Sequence, residues 1–175
     1  GKPVVVGTTG FSAEQKKEIT ELAQKIPLVV APNMSIGVNV LFKLVADAAR
    51  VLGDDYDVEI VEAHHKFKKD APSGTAVRIS EIVADSLGRN LDEVGVYGRH
   101  GITERTSKDI GIHTGRAGDI IGEHRDLFGG MGENFEVFHR AQSRQTFARG
   151  SIRAAQWILN QSKGVYDMQD VLELK

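Results

Sequence analysis

The sequence predicts an α/β protein that joins a parallel β-α-β unit to an α+β region with a mixed, largely antiparallel sheet. Two observations predict this fold class. Residues 4–31 place one amphipathic helical stripe between two short apolar runs, as in a pair of buried parallel strands joined by a helix. Residues 94–139 contain short extended segments separated by glycine-rich turns, a pattern that favours strands and hairpins.

The β-α-β unit begins with the apolar run 4–6 and a Gly-Thr-Thr-Gly turn at 7–10. Ser12, followed three residues later by Gln15, predicts a helix N-cap with a capping box. A second buried strand is predicted at 28–31. The helical stripe between the two strands consists of Ile19, Leu22, Ala23 and Ile26. Because ligands of open α/β sheets lie beyond the carboxyl ends of the strands, both strand ends are candidate binding segments.

The second region begins with a helix and a strand. Apolar residues recur at helical spacing over 41–52, and Gly53 ends the predicted helix. Tyr56, Val58 and Ile60 then alternate with acidic residues, which is the period-2 pattern of a half-buried strand.

Most of the chemistry-bearing side chains lie in residues 62–76, between that strand and the next predicted helix. Two histidines, three lysines and an aspartate precede Ser73-Gly74-Thr75, a small-residue helix start. The first N–H groups of a helix lack internal partners and carry the positive end of its dipole, so they attract anions. An imidazole beside such a site can exchange a proton near neutral pH. The segment therefore predicts an anion site with a proton donor.

The C-terminal half is predicted as short strands, a hairpin and a helix. Strands are expected at 94–97 and 110–114, and a hairpin is expected around the glycine-rich turn 129–132. Apolar residues at helical spacing predict a helix over 147–163, which Gly164 ends. Together with the strand before residue 64, these segments predict the mixed sheet.

Composition excludes several classes of protein. The chain has 175 residues, a formal net charge of -2 and no cysteine. The charge lacks the basic excess of a nucleic-acid-binding protein, and disulfides, thiolate catalysis and cysteine zinc sites are excluded. No apolar run reaches the ~20 residues that a membrane span needs. His64 and His65 would face opposite sides of a strand, which argues against a metal pair. A cytoplasmic protein is expected, with no metal, nucleic-acid or membrane partner.

Residues 62–76 resemble the signature of the dihydrodipicolinate reductase family, with Glu-x-His-His, a lysine, and Asp-Ala-Pro-Ser-Gly-Thr-Ala at this spacing. The strand ends at 7–10 and 31–33 also resemble segments of that family. The resemblance implies NAD(P)H-dependent reduction of 4-hydroxy-tetrahydrodipicolinate to tetrahydrodipicolinate, in the diaminopimelate and lysine pathway. It further implies a small dicarboxylate substrate and a homotetramer assembled through the mixed sheet.

The resemblance also implies roles for individual residues. His64 would be the general acid, and Lys68 a second proton donor and a partner for a substrate carboxylate. Further substrate contacts would come from His65, Lys68, Ser73, Gly74 and Thr75. The nicotinamide half of the cofactor would contact Gly7, Thr8, Thr9, Ala31, Pro32, Asn33 and Met34.

Each of these roles has a simpler structural interpretation. His64 could be a packed histidine at a strand end, Lys68 a solvated loop lysine, and Ser73 a plain helix N-cap. Lys66 and Lys69 are expected to face solvent, and Asp70 to order the loop. His113 and Arg116, further along the chain, are weaker site candidates that are expected to be structural or to lie at the rim of the site.

Two expected motifs are missing from the chain. It lacks the glycine-rich turn of a dinucleotide-binding domain and the charged residue that reads the adenosine ribose. We therefore expect a fragment, inactive by itself, that binds NADPH or NADH weakly, with the preference between them left open. Residues 1–35 and 146–175 would remain from a Rossmann-type dinucleotide-binding domain, and 36–145 would form the substrate-binding, catalytic and tetramerisation domain. The alternatives are another amino-acid-pathway dehydrogenase, or a ligand-binding or oligomerisation module without redox activity.

Overall fold

The computed structural model describes all 175 residues and divides them into two compact units. The first unit comprises residues 1–40 and 144–175, and the second comprises residues 41–143. In chain order the elements are β1 (Val4–Val6), α1 (Ala13–Leu22), β2 (Pro27–Val30), α2 (Ile36–Leu52), β3 (Asp57–His64), α3 (Gly74–Ser86), α4 (Leu91–Val94), β4 (Gly95–Tyr97), β5 (Ile110–Arg116), β6 (Gly122–Gly129), β7 (Asn134–Ala141), α5 (Gln145–Trp157), β8 (Gly164–Tyr166) and α6 (Met168–Val171). None of the helices has the length and apolarity that crossing a membrane requires.

The first unit contains the predicted parallel β-α-β arrangement. Its sheet has the order β1-β2-β8, and both ladders are parallel. The predicted capping box starts α1, because the Ser12 side chain accepts from the Gln15 amide while the Gln15 side chain accepts from the Ser12 amide. The core between the sheet and the C-terminal helices consists of Val29, Ala31, Met34, Ala154, Ile158, Met168 and Val171.

The C-terminal helix is shorter than predicted. We expected it to reach residue 163, but α5 ends at Trp157, and residues 158–160 tighten into a 3-10 turn. This turn carries Ile158 into the core of the unit, where it is 2% exposed. After this turn the chain enters β8 at Gly164.

The second unit is a five-stranded sheet with the order β4-β5-β3-β6-β7. The predicted mixed sheet is confirmed, and its ladders are half parallel: β4-β5 and β5-β3 are parallel, while β3-β6 and β6-β7 are antiparallel. The hairpin β6-β7 surrounds the predicted glycine-rich turn. Helix α3 covers one face of the sheet, with Ile79 and Val83 fully buried. This arrangement places the end of β3 and the start of α3 beside each other.

Candidate active site

The carboxylate of Glu62 is the centre of the polar cluster at the end of β3. It is 1% exposed, since it lies on the face of β3 that α3 covers. Its Oε2 atom lies 2.6 Å from Nδ1 of His64, and its Oε1 atom accepts from the amide of Ser73 at 2.9 Å. Two guanidinium nitrogens of Arg116 donate to the two carboxylate oxygens, each at 3.0 Å. One buried side chain therefore joins strand β3, strand β5 and the start of α3.

Glu62 is ionised despite its burial. Burial opposes ionisation, but the hydrogen bonds from His64, Arg116 and the Ser73 amide outweigh it and lower the pKa of Glu62 to about 2. A carboxylate in this state only accepts hydrogen bonds, so every partner must donate to it. The Glu62 carboxylate is therefore the acceptor in each of these hydrogen bonds, and His64, Arg116 and the Ser73 amide are the donors.

His64 is the last residue of β3 and its side chain is largely enclosed. The ring meets His124 edge to face, with centroids 5.3 Å apart and planes at 69°. Opposite the ring lies Gly122, where an added Cβ would be only 3.0 Å from Nε2 of His64. Glycine at this position therefore makes the room that the imidazole occupies.

Lys68 lies in the loop between β3 and α3, paired with Asp70. Its Nζ atom is 2.8 Å from a carboxylate oxygen of Asp70, and the hydrogen bond from Lys68 lowers the pKa of Asp70. The carbonyl of Asp70 accepts from Arg116 at 2.6 Å. The loop that carries Lys68 is thus tied, through Arg116, to the buried Glu62.

The start of α3 has the geometry of a helix N-cap. The hydroxyl of Ser73 accepts from the amide of Ala76 at 3.2 Å, while the Ser73 amide donates to Glu62. Gly74 is the first helical residue, and Thr75 is buried. Both polar groups of Ser73 are therefore engaged within the protein, as its simpler structural interpretation expects.

The second histidine of the motif lies outside the strand. Because β3 ends at His64, the alternation of strand side chains stops there and does not dictate the direction of His65. Its ring lies 6.4 Å from that of Phe67, and its Nδ1 atom is buried without a partner. Lys66 and Lys69 are exposed.

The predicted cofactor segments meet within the first unit. The loop after β1 carries Gly7, and an added Cβ there would lie 2.9 Å from Cγ of Met34, in the loop after β2. Asn33 shapes this second loop, since its side chain accepts from the Ser35 amide at 2.8 Å. Thr8 and Thr9 are exposed, whereas Ala31 and Met34 are buried. The two strand ends thus lie side by side, with exposed threonines next to the close approach of Gly7 and Met34.

A row of buried polar side chains continues from the site along β6. His124 is 3% exposed, and burial, reinforced by the charge of His64, lowers its pKa to about 3. Asp126 is fully buried with no partner for either carboxylate oxygen, and burial raises its pKa to about 8. Across the next ladder, burial lowers the pKa of His139.

An open cavity of about 680 Å³ lies beside the loop that precedes α3. Ala71 and Pro72 contribute to its wall, together with strand residues of β4 and β5. His113 lines it, but none of the residues predicted to act on or bind the substrate does, so we do not assign the substrate to this cavity.

Two residues of the cluster are not among the predicted catalytic or substrate-binding residues. The sequence singles out Glu62 only as part of the motif, and it makes Arg116 a weaker site candidate that is expected to be a structural or rim residue. The spacing of Glu62 and His64 already places their side chains on one face of a strand. The position of Arg116 had no such signal, since it depends on the β3-β5 register that sets Arg116 opposite His64.

Comparisons with known proteins cover both units. Residues 37–172 match the family model described as "Dihydrodipicolinate reductase, C-terminus", and residues 1–34 match the one described as "Dihydrodipicolinate reductase, N-terminus". The chain is 60% identical over 172 residues to the 4-hydroxy-tetrahydrodipicolinate reductase of Syntrophus aciditrophicus, covering 98% of this chain and 64% of the relative. It is also 60% identical over 176 residues to the enzyme of the same name from Hahella chejuensis, covering 100% of this chain and 66% of the relative. The chain thus spans slightly less than two thirds of the length of these curated relatives.

A solved structure has the same fold. It is described as "Dipicolinate bound Dihydrodipicolinate reductase from Paenisporosarcina sp. TG-14" and superimposes with a TM-score of 0.72 at 31% sequence identity. The match covers 96% of this chain and 63% of that one.

Proposed function

The chain belongs to the dihydrodipicolinate reductase family, and from this premise we propose that the protein reduces 4-hydroxy-tetrahydrodipicolinate to tetrahydrodipicolinate with NADH or NADPH. The reaction would belong to the diaminopimelate and lysine pathway, in the cytoplasm. The observation that carries the proposal is the cluster at Glu62, which holds an imidazole and the start of a helix beside each other. A proton donor next to an anion-attracting helix start suits a cyclic imine dicarboxylate.

The chemistry requires a hydride, a proton and the loss of water. Water leaves first, because C4 can accept a hydride only after its hydroxyl group and a proton from a neighbouring ring carbon have left and C4 is part of a conjugated double bond. A bound dihydronicotinamide would then supply a hydride, with its two electrons, to C4, and a protein acid would give one proton to the ring atom that becomes electron-rich. This chain's own residues therefore have to hold two carboxylates, deliver the proton and exclude water.

We assign proton delivery to His64. Its Nδ1 atom is hydrogen-bonded to Glu62, so Nε2 is the nitrogen that can exchange a proton with the substrate. Lys68 is assigned to one substrate carboxylate and to a second proton. Its pairing with Asp70 holds the ammonium partly enclosed at 2.8 Å from a carboxylate oxygen until a stronger anionic partner enters. The remaining carboxylate would lie against His65 and the helix start formed by Ser73, Gly74 and Thr75.

The nicotinamide half of the cofactor is assigned to the two strand ends of the first unit. Because Gly7 has no Cβ, a planar ring can approach the backbone between the two strand ends closely. The exposed side chains of Thr8 and Thr9 can hydrogen-bond a carboxamide. The full set assigned to this role is Gly7, Thr8, Thr9, Ala31, Pro32, Asn33 and Met34.

We also propose a homotetramer that assembles through the mixed sheet, with no nucleic-acid or membrane partner. The sheet face opposite α3 exposes large apolar side chains, among them Val61 at 42% and Phe138 at 44%. Arg125 and Arg140 flank the Phe138 ring, with guanidinium carbons 5.3 and 5.2 Å from its centroid. Aromatic and arginine side chains of this kind are enriched at protein interfaces.

The first experiment is calorimetry of this chain with pyridine-2,6-dicarboxylate, a planar substitute for the substrate, beside a titration with NADH. We expect dicarboxylate binding that Lys68→Met weakens by at least about tenfold, since one charge-assisted contact is lost. Lys66→Met, at an exposed position in the same loop, is the matched control. Equal affinity in all three proteins would contradict the assignment of Lys68.

The second experiment measures NAD(P)H oxidation in a protein that carries the complete cofactor domain. His64→Gln should lower kcat by about 10²-fold or more, the usual contribution of a general acid. An unchanged kcat would remove His64 from the mechanism. Dicarboxylate binding without any turnover in the unmodified protein would favour a binding or oligomerisation module instead.

A further inference from the structure

We propose that Glu62 is a positioning residue that fixes His64 in the Nδ1–H tautomer and, with the same carboxylate, fixes the start of α3. The proton donor and the carboxylate-binding helix start would then keep a constant separation. This inference rests on the proposed function, because it explains how one rigid element presents both groups to a single small diacid.

The position of Glu62 in the sheet is suited to a side chain that holds neighbouring groups in place. Strand β3 is the central strand of its sheet, paired with β5 on one side and β6 on the other. Glu62 lies two residues before the end of this strand and is almost completely buried. A side chain placed there has few alternative rotamers and a backbone held on both sides, which is what a site requires from its supporting residues.

The hydrogen bond to His64 determines which ring nitrogen carries the proton. An ionised carboxylate accepts but cannot donate, so Nδ1 of His64 must donate to Oε2 of Glu62 across the 2.6 Å that separate them. In the neutral ring, Nε2 then carries no proton and can only accept one. Once Nε2 has accepted a proton, Glu62 remains the acceptor of Nδ1–H and the cationic ring can donate from Nε2 to the substrate. The other neutral tautomer would direct the Nδ1 lone pair at the carboxylate of Glu62, which is unfavourable.

The second oxygen of Glu62 extends the same control to α3. Oε1 accepts from the Ser73 amide at 2.9 Å, and Ser73 is the N-cap of the helix. Arg116 holds both oxygens in place and also donates to the carbonyl of Asp70 at 2.6 Å. A rotation of the Glu62 carboxylate would therefore disturb the imidazole, the helix start and the loop between them together.

A structural ion pair on the same strand provides a matched control. Glu59 lies on the opposite face of β3, where Oε2 is 2.7 Å from Nε2 of His113 and Arg99 donates to both oxygens. Glu59→Gln therefore removes the same charge and the same type of histidine contact three residues from Glu62. Its partners do not include His64, Ser73 or α3.

The test uses ¹⁵N NMR of the histidine side chains in the full 175-residue chain, with His64→Gln to assign the His64 signals. Two-bond ¹H–¹⁵N couplings distinguish the two neutral tautomers. We expect His64 to be in the Nδ1–H form, to lose that preference in Glu62→Gln, and to keep it in Glu59→Gln. Pyridine-2,6-dicarboxylate affinity should fall at least about tenfold in Glu62→Gln, the scale of losing a residue that orients a ligand, and stay within about twofold in Glu59→Gln.

Three outcomes would overturn the proposal: an Nε2–H tautomer in the unmodified chain, an unchanged tautomer in Glu62→Gln, or equal loss of dicarboxylate affinity in both variants. The first of these needs no variant of Glu62, so it can be tested even where Glu62→Gln fails to fold. The double change Glu62→Gln with Arg116→Gln, which removes both charges of the buried pair, then supplies the variant measurement.

A failure of the proposed function has a different signature. If the unmodified chain does not bind pyridine-2,6-dicarboxylate but shows an Nδ1–H tautomer that Glu62→Gln abolishes, the positioning role of Glu62 is supported and the diacid substrate is not.

Discussion

Asp126 makes the stability of the second unit depend on pH. Its carboxyl group is 0% exposed, neither oxygen has a partner, and its neighbours across the two ladders are Ile60 and Val137. Ionising a carboxyl in such surroundings is unfavourable, and burial raises the pKa of Asp126 from 3.8 to about 8. We predict that Asp126→Asn, which has nearly the same shape and no charge, removes this dependence.

The sign follows from proton binding in the two states. In the unfolded chain the carboxyl ionises near pH 4, whereas in the folded protein it keeps its proton up to about pH 8. Between these values the folded state binds more protons, so the contribution of Asp126 to stability falls as pH rises. Each pK unit corresponds to about 1.4 kcal/mol, so the loss between pH 5 and pH 8 is roughly 4 kcal/mol.

The contribution of His124 to stability depends on pH with the opposite sign, so it has to be distinguished from the contribution of Asp126. Burial lowers the pKa of His124 from 6.5 to about 3, so between those values the unfolded chain binds the extra proton. Its contribution to stability therefore rises with pH over that interval. Both proteins carry His124, so the difference between the unmodified chain and Asp126→Asn cancels this contribution.

Hydrogen exchange of the β6 amides, measured by mass spectrometry at pH 5, 6, 7 and 8, reports the opening of this strand. Between pH 5 and pH 8, the free energy of opening of β6 in the unmodified chain should fall by roughly 4 kcal/mol relative to Asp126→Asn. Asp85→Asn, at an exposed position of α3, is the control and should follow the unmodified chain. Parallel protection of the unmodified chain and Asp126→Asn over the whole range would mean that Asp126 is already ionised in the fold, and the argument from burial would be refuted.

Three further predictions concern single positions. Gly122→Ala should displace the ring of His64, because the new Cβ would lie 3.0 Å from Nε2. Calorimetry with pyridine-2,6-dicarboxylate should then show about tenfold weaker binding, and an unchanged affinity would mean that the position of the ring is unimportant. Gly150→Ala should lower the thermal midpoint of the first unit, since the new Cβ would lie 1.7 Å from the carbonyl oxygen of Met34 and overpacking typically costs about 1–3 kcal/mol. An unchanged melting curve by circular dichroism would contradict this prediction. Ser12→Ala should destabilise α1 by about 1 kcal/mol through loss of its cap, seen as faster amide exchange in that helix alone.

Local patterns predicted the individual elements well. The capping box at Ser12 is present because it depends on residues three apart in one helix turn. The strand before His64 and the hairpin around residues 129–132 are present because alternation and turn composition are local properties. The length of α5 was less predictable, since its end depends on the burial of Ile158 in a core built from distant segments.

The site was predicted in part. The sequence placed two histidines, a lysine and a helix start within one short segment. The structure joins His64 and the helix start directly to Glu62, and it links Lys68 to Arg116 only through Asp70. The charge state of that segment could not be predicted, because the pKa of Glu62 depends on Arg116, which lies 54 residues away in the chain.

The sequence by itself determined the family resemblance, the parallel β-α-β unit and the segment that carries the proposed chemistry, since these depend on residue type and short spacing. Only the tertiary structure decided that Glu62 is the shared anchor, that Arg116 belongs to the cluster and that Asp126 is buried without a partner. The physical reason is strand register: it sets Arg116 opposite His64 and Asp126 opposite Ile60, and no periodicity within a single strand specifies which residues its neighbours bring to it.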